Sequence, residues 1–189
     1  MPQPNVRLAT PEDAAAVAAI YAPYVRDTTV SFELEPPDTT EIRRRMENIL
    51  AMYPWLLCEV DGEPAGYAYA SRFHPRQAYQ WTVETSVYIA EGFHRRGLAR
   101  KLYAALSRVL RAQGLVNALA GISLPNPESV AFHESMGFVP VRTMPKVGFK
   151  HGRWLDVGYW QLTLQPHPEA PEPPRALSEL RNLASLLVD

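Results

Sequence analysis

The chain has 189 residues, a formal net charge of −1, 47% hydrophobic residues, 18 prolines and one cysteine. At that length a single domain buries roughly two-thirds of the surface of the unfolded chain, so it needs no disulfide or metal staple. Near-neutrality excludes a strongly basic nucleic-acid binder, and a lone Cys58 excludes an intramolecular disulfide framework.

No stretch approaches the ~18 apolar residues of a membrane span, and the opening "MPQPNVRLAT" has no apolar core behind a basic start. The expectation is a cytoplasmic protein with no membrane and no nucleic-acid partner. Cys58, inside the apolar run Trp55 to Val60, reads as a small buried hydrophobe.

In chain order, residues 5 to 8 read as a strand. "TPED" follows, with Thr10 as N-cap, Pro11 at the first helical position and Asp13 in capping-box position. Val17, Ile20, Tyr21 and Tyr24 recur at helical spacing until "RDTTVSFELEPPD" breaks the pattern as a loop. Asp38 and Glu41 mark a second helix running to about Met52, and "YPWLLCEVDGEPAGYAYAS" reads as two strands around an Asp61-Gly62 turn. Next come a strand over 81 to 89, a helix over 97 to 113 ended by Gly114, and a strand over 116 to 123. A short helix over 127 to 136, a strand over 138 to 144, a turn at 150 to 153 and a last strand complete the pattern. A mixed sheet flanked by helices is the simplest assembly. Residues 1 to 165 then form the domain. Residues 166 to 189 form a proline-rich linker and a short helix or disordered tail, with Leu177, Leu180, Leu183 and Leu187 on one helical face.

One junction concentrates charge. In "SVYIAEGFHRRGLARKLYAAL", residues 86 to 106, a strand passes into an amphipathic helix through basic residues crowded around Gly97. The first N–H groups of a helix lack intrahelical partners and carry the positive end of its dipole, which suits a phosphate. Gly97 spares the backbone a Cβ there, and Arg95, Arg96 and Arg100 offer forked donors. A solvated basic helix start is the alternative. The turn has neither the G-x-x-x-x-G-K-[ST] of a P-loop nor the three glycines of a dinucleotide fingerprint.

"HRRGLA" resembles the acetyl-CoA pyrophosphate loop of the GNAT superfamily, Q/R-x-x-G-x-G/A, with Gly97 and Ala99 matching and His94 departing from the pattern. "NPESVAFHESMGF" is similar to the superfamily's Asn-started helix and closing Gly-Phe, with Asn126 at the N-cap. More narrowly, "TTVSFE", "YPWL", "GYAYAS", "AYQWTVE", "SVYI", "LPNP" and "VGFKHGRWLDVGYWQ" are similar, in this order, to the phosphinothricin (methionine sulfoximine) N-acetyltransferases, over residues 5 to 165. The resemblance implies an α/β GNAT acyltransferase fold with a mixed central sheet flanked by helices. Its fourth and fifth strands splay apart around the pantetheine arm of acetyl-CoA, and the protein is usually a homodimer. It implies acetyl-CoA as cosubstrate, no metal, and cofactor contacts at Val87, Tyr88, Ile89, Arg95, Arg96, Gly97, Leu98, Ala99, Arg100 and Asn126.

Acetyl transfer to an amine needs a neutral amine, a donor for the carbonyl oxygen and a proton for the leaving thiolate. Glu84, in a pocket expected to be walled by Tyr79, Trp81 and Tyr88, would have the raised pKa of a base. The matching family glutamate helps to bind and deprotonate the amine; a solvent-facing strand glutamate is the alternative. His133, seven residues after Asn126, stands where many GNAT enzymes carry a tyrosine, and it could accept a proton or pass one on. A satisfied helix histidine is the alternative there. Arg72, His74, Arg76 and Tyr79, beside Glu84 in sequence, are candidate substrate-binding residues for a carboxylate and phosphinate, with Lys146 and Lys150 as secondary candidates. A solvated loop face is the alternative for each. The expected function is direct acetyl transfer to the α-amino group of a small amino-acid analogue such as phosphinothricin or methionine sulfoximine. A protein N-terminal or lysine acetyltransferase and a non-catalytic acyl-CoA-binding module are the rival readings.

Overall fold

The structure is a computed structural model and describes residues 4–188. Strands β1 (Pro4–Leu8), β2 (Trp55–Val60), β3 (Glu63–Arg72), β4 (Thr82–Ile89), β5 (Asn117–Leu124), β6 (Val139–Lys150) and β7 (Arg153–Thr163) form one sheet of order β1-β2-β3-β4-β5-β7-β6. β4 and β5 run parallel and the other neighbours antiparallel. This is the α/β mixed sheet expected from the sequence.

Local chemistry sets the element ends. The Thr10 N–H donates to Asp13 Oδ2 at 2.8 Å, closing a 3-10 turn over Pro11–Asp13 that leads into α1 (Ala14–Asp27). Asp38 accepts the Glu41 N–H at 2.8 Å and starts α2 (Thr39–Leu50). Asp61 (φ 52°) and Gly62 (φ 82°) both take the left-handed conformation that a two-residue hairpin demands.

Strand alternation feeds two cores, one on each face of the sheet. Trp55, Leu57 and Tyr67 pack with Val17, Ile20, Ile42 and Met46 of α1 and α2. Leu56, Cys58, Ala68 and Ala70 face the other way, onto Leu102, Leu106 and Leu110 of α3 (Leu98–Gln113), and α4 (Pro127–Ser135) joins this second core through Val130 and Phe132. Burial pushes the Cys58 thiol up to about 11, so it packs as a hydrophobe.

Two elements differ from the sequence-based expectation. β6, expected over 138 to 144, continues to Lys150 because bulges between Pro140 and Arg142 and between Met144 and Gly148 absorb the residues that break its pattern. The four leucines of the tail do not share one helix. Leu177–Glu179 is a 3-10 turn, Leu180 is extended, and α5 (Leu183–Leu187) is a separate short helix. The segment lies along the body. Arg175 exchanges backbone and side-chain hydrogen bonds with Gln113 at 2.8 Å, Arg108 Nε donates to the Leu186 carbonyl at 2.8 Å, and Leu177 is buried. Among the described residues no helix is long and apolar enough to cross a membrane.

Candidate active site

The site begins where the sheet forks. β4 and β5 pair only through Thr82–Asn117, Val83–Ala118 and Glu84–Leu119, although β4 continues to Ile89 and β5 to Leu124. On the other side of β4 the register with β3 is unbroken, and Ala90 N–H donates to the Ala65 carbonyl at 2.9 Å. Antiparallel alternation then turns the backbone groups of Glu84, Ser86 and Tyr88 toward β3 and leaves those of Thr85, Val87 and Ile89 facing the gap. Of the expected trio, Val87 and Ile89 therefore present backbone to the fork and Tyr88 does not. The Tyr88 ring instead packs edge-on against Tyr21 and Tyr24, with centroids 4.9 and 5.1 Å apart. The Ile89 carbonyl accepts from the Tyr24 hydroxyl at 2.6 Å and lies 2.9 Å from His94 Nε2, so the departure at His94 ties the end of β4 to α1.

Past β4, the chain enters α3 through Arg95 (φ 61°) and Gly97 (φ 76°). A Cβ at Gly97 would meet nothing within 4 Å, so the glycine answers to the left-handed backbone and not to crowding by the protein. No side chain caps this helix start, and its first intrahelical bond is Lys101 N–H to the Gly97 carbonyl at 3.2 Å. The N–H groups of Leu98, Ala99 and Arg100 precede that bond and are open to an anion. Arg95 and Arg96 are exposed beside them, Arg96 over the Phe93 ring at 5.0 Å and Arg95 within 3.6 Å of Glu128. Arg100 is turned away, donating to Ser135 Oγ at 2.9 Å, and Asn126 caps α4 by accepting from Ser129 N–H at 3.1 Å. An uncapped helix start, two exposed guanidinium groups and a fork edged by unpaired backbone fit the diphosphate and pantetheine of a coenzyme A thioester.

Glu84 lines a cleft of about 260 Å³ with Val30, Phe32, Thr85, Ser86, Gly121, Ser123, Val157 and Tyr159. It is half-buried, and desolvation raises its pKa above the ordinary 4.5. The walls are not the aromatic residues near it in sequence. Trp81 donates its indole N–H to the Glu172 carbonyl at 2.8 Å, Tyr79 packs on His74 with centroids 4.7 Å apart, and Tyr88 is in the tyrosine cluster.

The expected cationic grip is also elsewhere. Arg72 pairs with Val83 and by alternation faces away from Glu84, while the Arg76 N–H donates to His74 Nδ1 at 3.2 Å within the loop. None of these residues lines the cleft. Lys150 is buried, with Nζ donating to the carbonyls of Val25 at 2.6 Å and Ser31 at 2.7 Å, so it holds the loop that carries Val30 and Phe32. Lys146 sits in a β6 bulge, its backbone N–H on Asp156 at 2.7 Å.

His133 is 5% exposed and on the opposite face of the sheet from Glu84. Its Nδ1 lies 2.8 Å from the Ser129 carbonyl, which only accepts, so Nδ1 carries the proton and Nε2, 3.1 Å from the Tyr103 hydroxyl, accepts. Burial lowers its pKa and keeps it neutral. The Tyr103 oxygen also lies 3.3 Å from Thr85 Oγ1, linking α4 through α3 to β4. Among the described residues no cluster of three His, Cys, Asp or Glu could hold a metal.

A family model described as the acetyltransferase (GNAT) domain matches residues 6–158. The chain belongs to the GNAT acetyltransferases. This acetyltransferase is 42% identical over 171 residues to the phosphinothricin N-acetyltransferase of Streptomyces viridochromogenes, covering 90% of this chain and 91% of that protein. It is 36% identical over 164 residues to the L-methionine sulfoximine/L-methionine sulfone acetyltransferase of Salmonella typhimurium, covering 86% and 96%. Among solved structures, a phosphinothricin acetyltransferase of Sinorhizobium meliloti in complex with acetyl-CoA superposes with a TM-score of 0.85 at 31% identity, covering 92% of this chain and 97% of that one.

Within this GNAT enzyme, sequence reasoning missed Phe32, Thr85, Tyr103, Gly121, Ser123 and Tyr159. The strand reading of residues 116 to 123 held a signal for two of them. Alternation places Leu119, Gly121 and Ser123 on the face opposite the core residues Ala118, Ala120 and Ile122. Phe32 and Tyr159 arrive from distant elements and leave no local pattern.

Proposed function

We propose that this GNAT enzyme transfers acetyl from acetyl-CoA directly to the α-amino group of a small amino-acid analogue of the phosphinothricin or methionine sulfoximine kind. The observation that carries this reading is the half-buried Glu84 carboxylate, set in a small cleft of mixed polar and apolar walls at the branch point of the β4–β5 fork. Acetyl-CoA supplies the activated acyl group when bound. The open N-terminus of α3 with Arg95 and Arg96 holds its diphosphate, and the gap-facing backbone of Val87 pairs with its pantetheine arm. Glu84 binds the substrate ammonium and takes up its proton, which its raised pKa favours over an ordinary carboxylate. His133, neutral and hydrogen-bonded at both ring nitrogens, is a positioning residue that steadies Thr85 through Tyr103. The names of the relatives and the small size of the cleft favour a free amino acid over a protein substrate.

The catalytic unit lies within residues 1–165, and the described tail, residues 166–188, braces α3. The enzyme works in the cytoplasm as a homodimer. Edge strand β6 exposes Val139, Val141, Val147 and Phe149, and Trp154 on β7 is 61% exposed beside them, an apolar edge suited to a second copy.

The test is free-thiol release from acetyl-CoA with phosphinothricin, methionine sulfoximine, glutamate and a peptide with a free N-terminus. Turnover with either analogue well above the other two supports the reading. Turnover with the peptide alone would replace it.

A further inference from the structure

The floor of the cleft contains a polar group that the protein leaves without a partner. Ser123 is 7% exposed, and its hydroxyl has no hydrogen bond. Burying a hydroxyl unpaired is costly, and native proteins rarely do it without a reason in function. Its neighbours show which face of the sheet it occupies. Ser123 registers with Val157 and Gly121 with Tyr159, and all four residues line the cleft together with Glu84.

Glu84 registers with Leu119, four residues before Ser123 on β5, a separation of roughly 13 Å along the strand. The residue between them on that face is Gly121, whose missing side chain leaves the Tyr159 ring lying across the strand, 3.5 Å from where a Cβ would stand. A carboxylate thus marks one end of a lane in which the Tyr159 ring lies over Gly121, and an unpartnered hydroxyl marks the other. A glutamate side chain and a short ligand hydrogen-bonded at both ends fill that span.

We infer that Ser123 is a specificity-determining residue whose hydroxyl donates to an oxygen on the side-chain head of the amino-acid substrate while Glu84 holds the amine. This rests on the proposed amino-acid substrate. Val30, Phe32 and Val157 supply no donor; the Tyr159 hydroxyl, which also lines the cleft, lies by Gly121, 4.0 Å from where a Cβ would stand, and Ser123 is the buried hydroxyl left without a partner, so the head oxygen is assigned to it.

The experiment compares L-methionine sulfone with L-methionine, which share a carbon frame and differ in two head oxygens, in wild type and Ser123→Ala. The wild-type preference for the sulfone, as a ratio of kcat/KM, is expected to fall about five- to tenfold in the variant, mainly through KM. In the ligand-free protein Ser123→Ala should melt no lower than wild type, because no hydrogen bond is lost, while its thermal shift with the sulfone in the presence of coenzyme A should shrink. An unchanged ratio, or an equal fall in kcat for both amino acids, overturns the inference while the proposed substrate class stands. A wild type that acetylates neither compound overturns the substrate class and this inference with it.

Discussion

His133 Nε2 lies 3.1 Å from the Tyr103 hydroxyl in the interior, and the same hydroxyl is 3.3 Å from Thr85 Oγ1. A neutral imidazole is built into the packing between α3 and α4, with desolvation holding its pKa below the ordinary 6.5.

That arrangement predicts a pH-dependent stability. The unfolded chain binds a proton at His133 near pH 6.5 and the folded chain resists it, so the contribution is present above 6.5 and drains as pH falls toward the lowered folded value. The slope is at most about 1.4 kcal/mol per pH unit for one group. Glu84, raised by burial, changes stability in the opposite sense, so the informative quantity is a difference between proteins. Thermal melts at pH 7.5 and 5.5 should show a larger loss in wild type than in His133→Gln, and equal losses would refute a buried neutral imidazole.

Glu84→Gln should lower kcat/KM by ~10²-fold or more with acetyl-CoA affinity retained, the usual scale of acid–base assistance. In wild type the base must be ionised, so activity should fall with acid around a midpoint above the ordinary 4.5. Raising the pH should partly rescue the variant, since more amine arrives already neutral. A pH profile of the variant that parallels wild type would remove Glu84 from the base role.

Gly97→Ala imposes a side chain on a residue at φ 76° with free space around it, so its cost is conformational, roughly 1–2 kcal/mol. Relaxing that strain tilts the first turn of α3 away from the anion site. The expected result is a Tm lowered by a few degrees together with weaker acetyl-CoA binding by calorimetry. Full acetyl-CoA affinity in the folded variant would show that the turn does not hold the diphosphate.

A chain ending at Gln165 should fold and keep its turnover but melt about 5–10 °C lower. It loses the burial of Leu177, worth about 1.5–3 kcal/mol, and the hydrogen bonds between Gln113 and Arg175. An unchanged Tm would mean that residues 166–189 brace nothing, and lost turnover at unchanged Tm would place a catalytic contribution in the tail.

What could be read in advance follows the range of the interactions involved. Thr10 with Asp13, Asp38 with Glu41, Asp61-Gly62 and Gly114 act within a few residues, and each marked its element correctly. The branch point at Glu84 was reached only through the resemblance. The walls around Glu84 were misread because nearness in sequence stood in for nearness in space. Tyr79, Trp81 and Tyr88 are local to it but committed to other partners, whereas Phe32 and Tyr159 are contributed by a loop and a strand far along the chain. Lys150 reads from sequence as a secondary substrate-binding candidate because a lysine is rarely buried, and the two carbonyls that satisfy it belong to residues 25 and 31.

Those contacts of Lys150 also make one wall of the cleft depend on strands far along the chain. The loop bearing Val30 and Phe32 is held by Lys150, and the Phe32 ring packs so closely on Gly148 that a Cβ there would stand 2.1 Å away. Both anchoring residues come more than a hundred positions after the loop they fix, so its shape depends on contacts of long sequence separation, which form slowly. A growing chain carries Glu84 well before the hairpin of β6 and β7 exists, and until that hairpin docks, the carboxylate has no closed wall around it. The cleft around Glu84 is therefore complete only after β6 and β7 have been made.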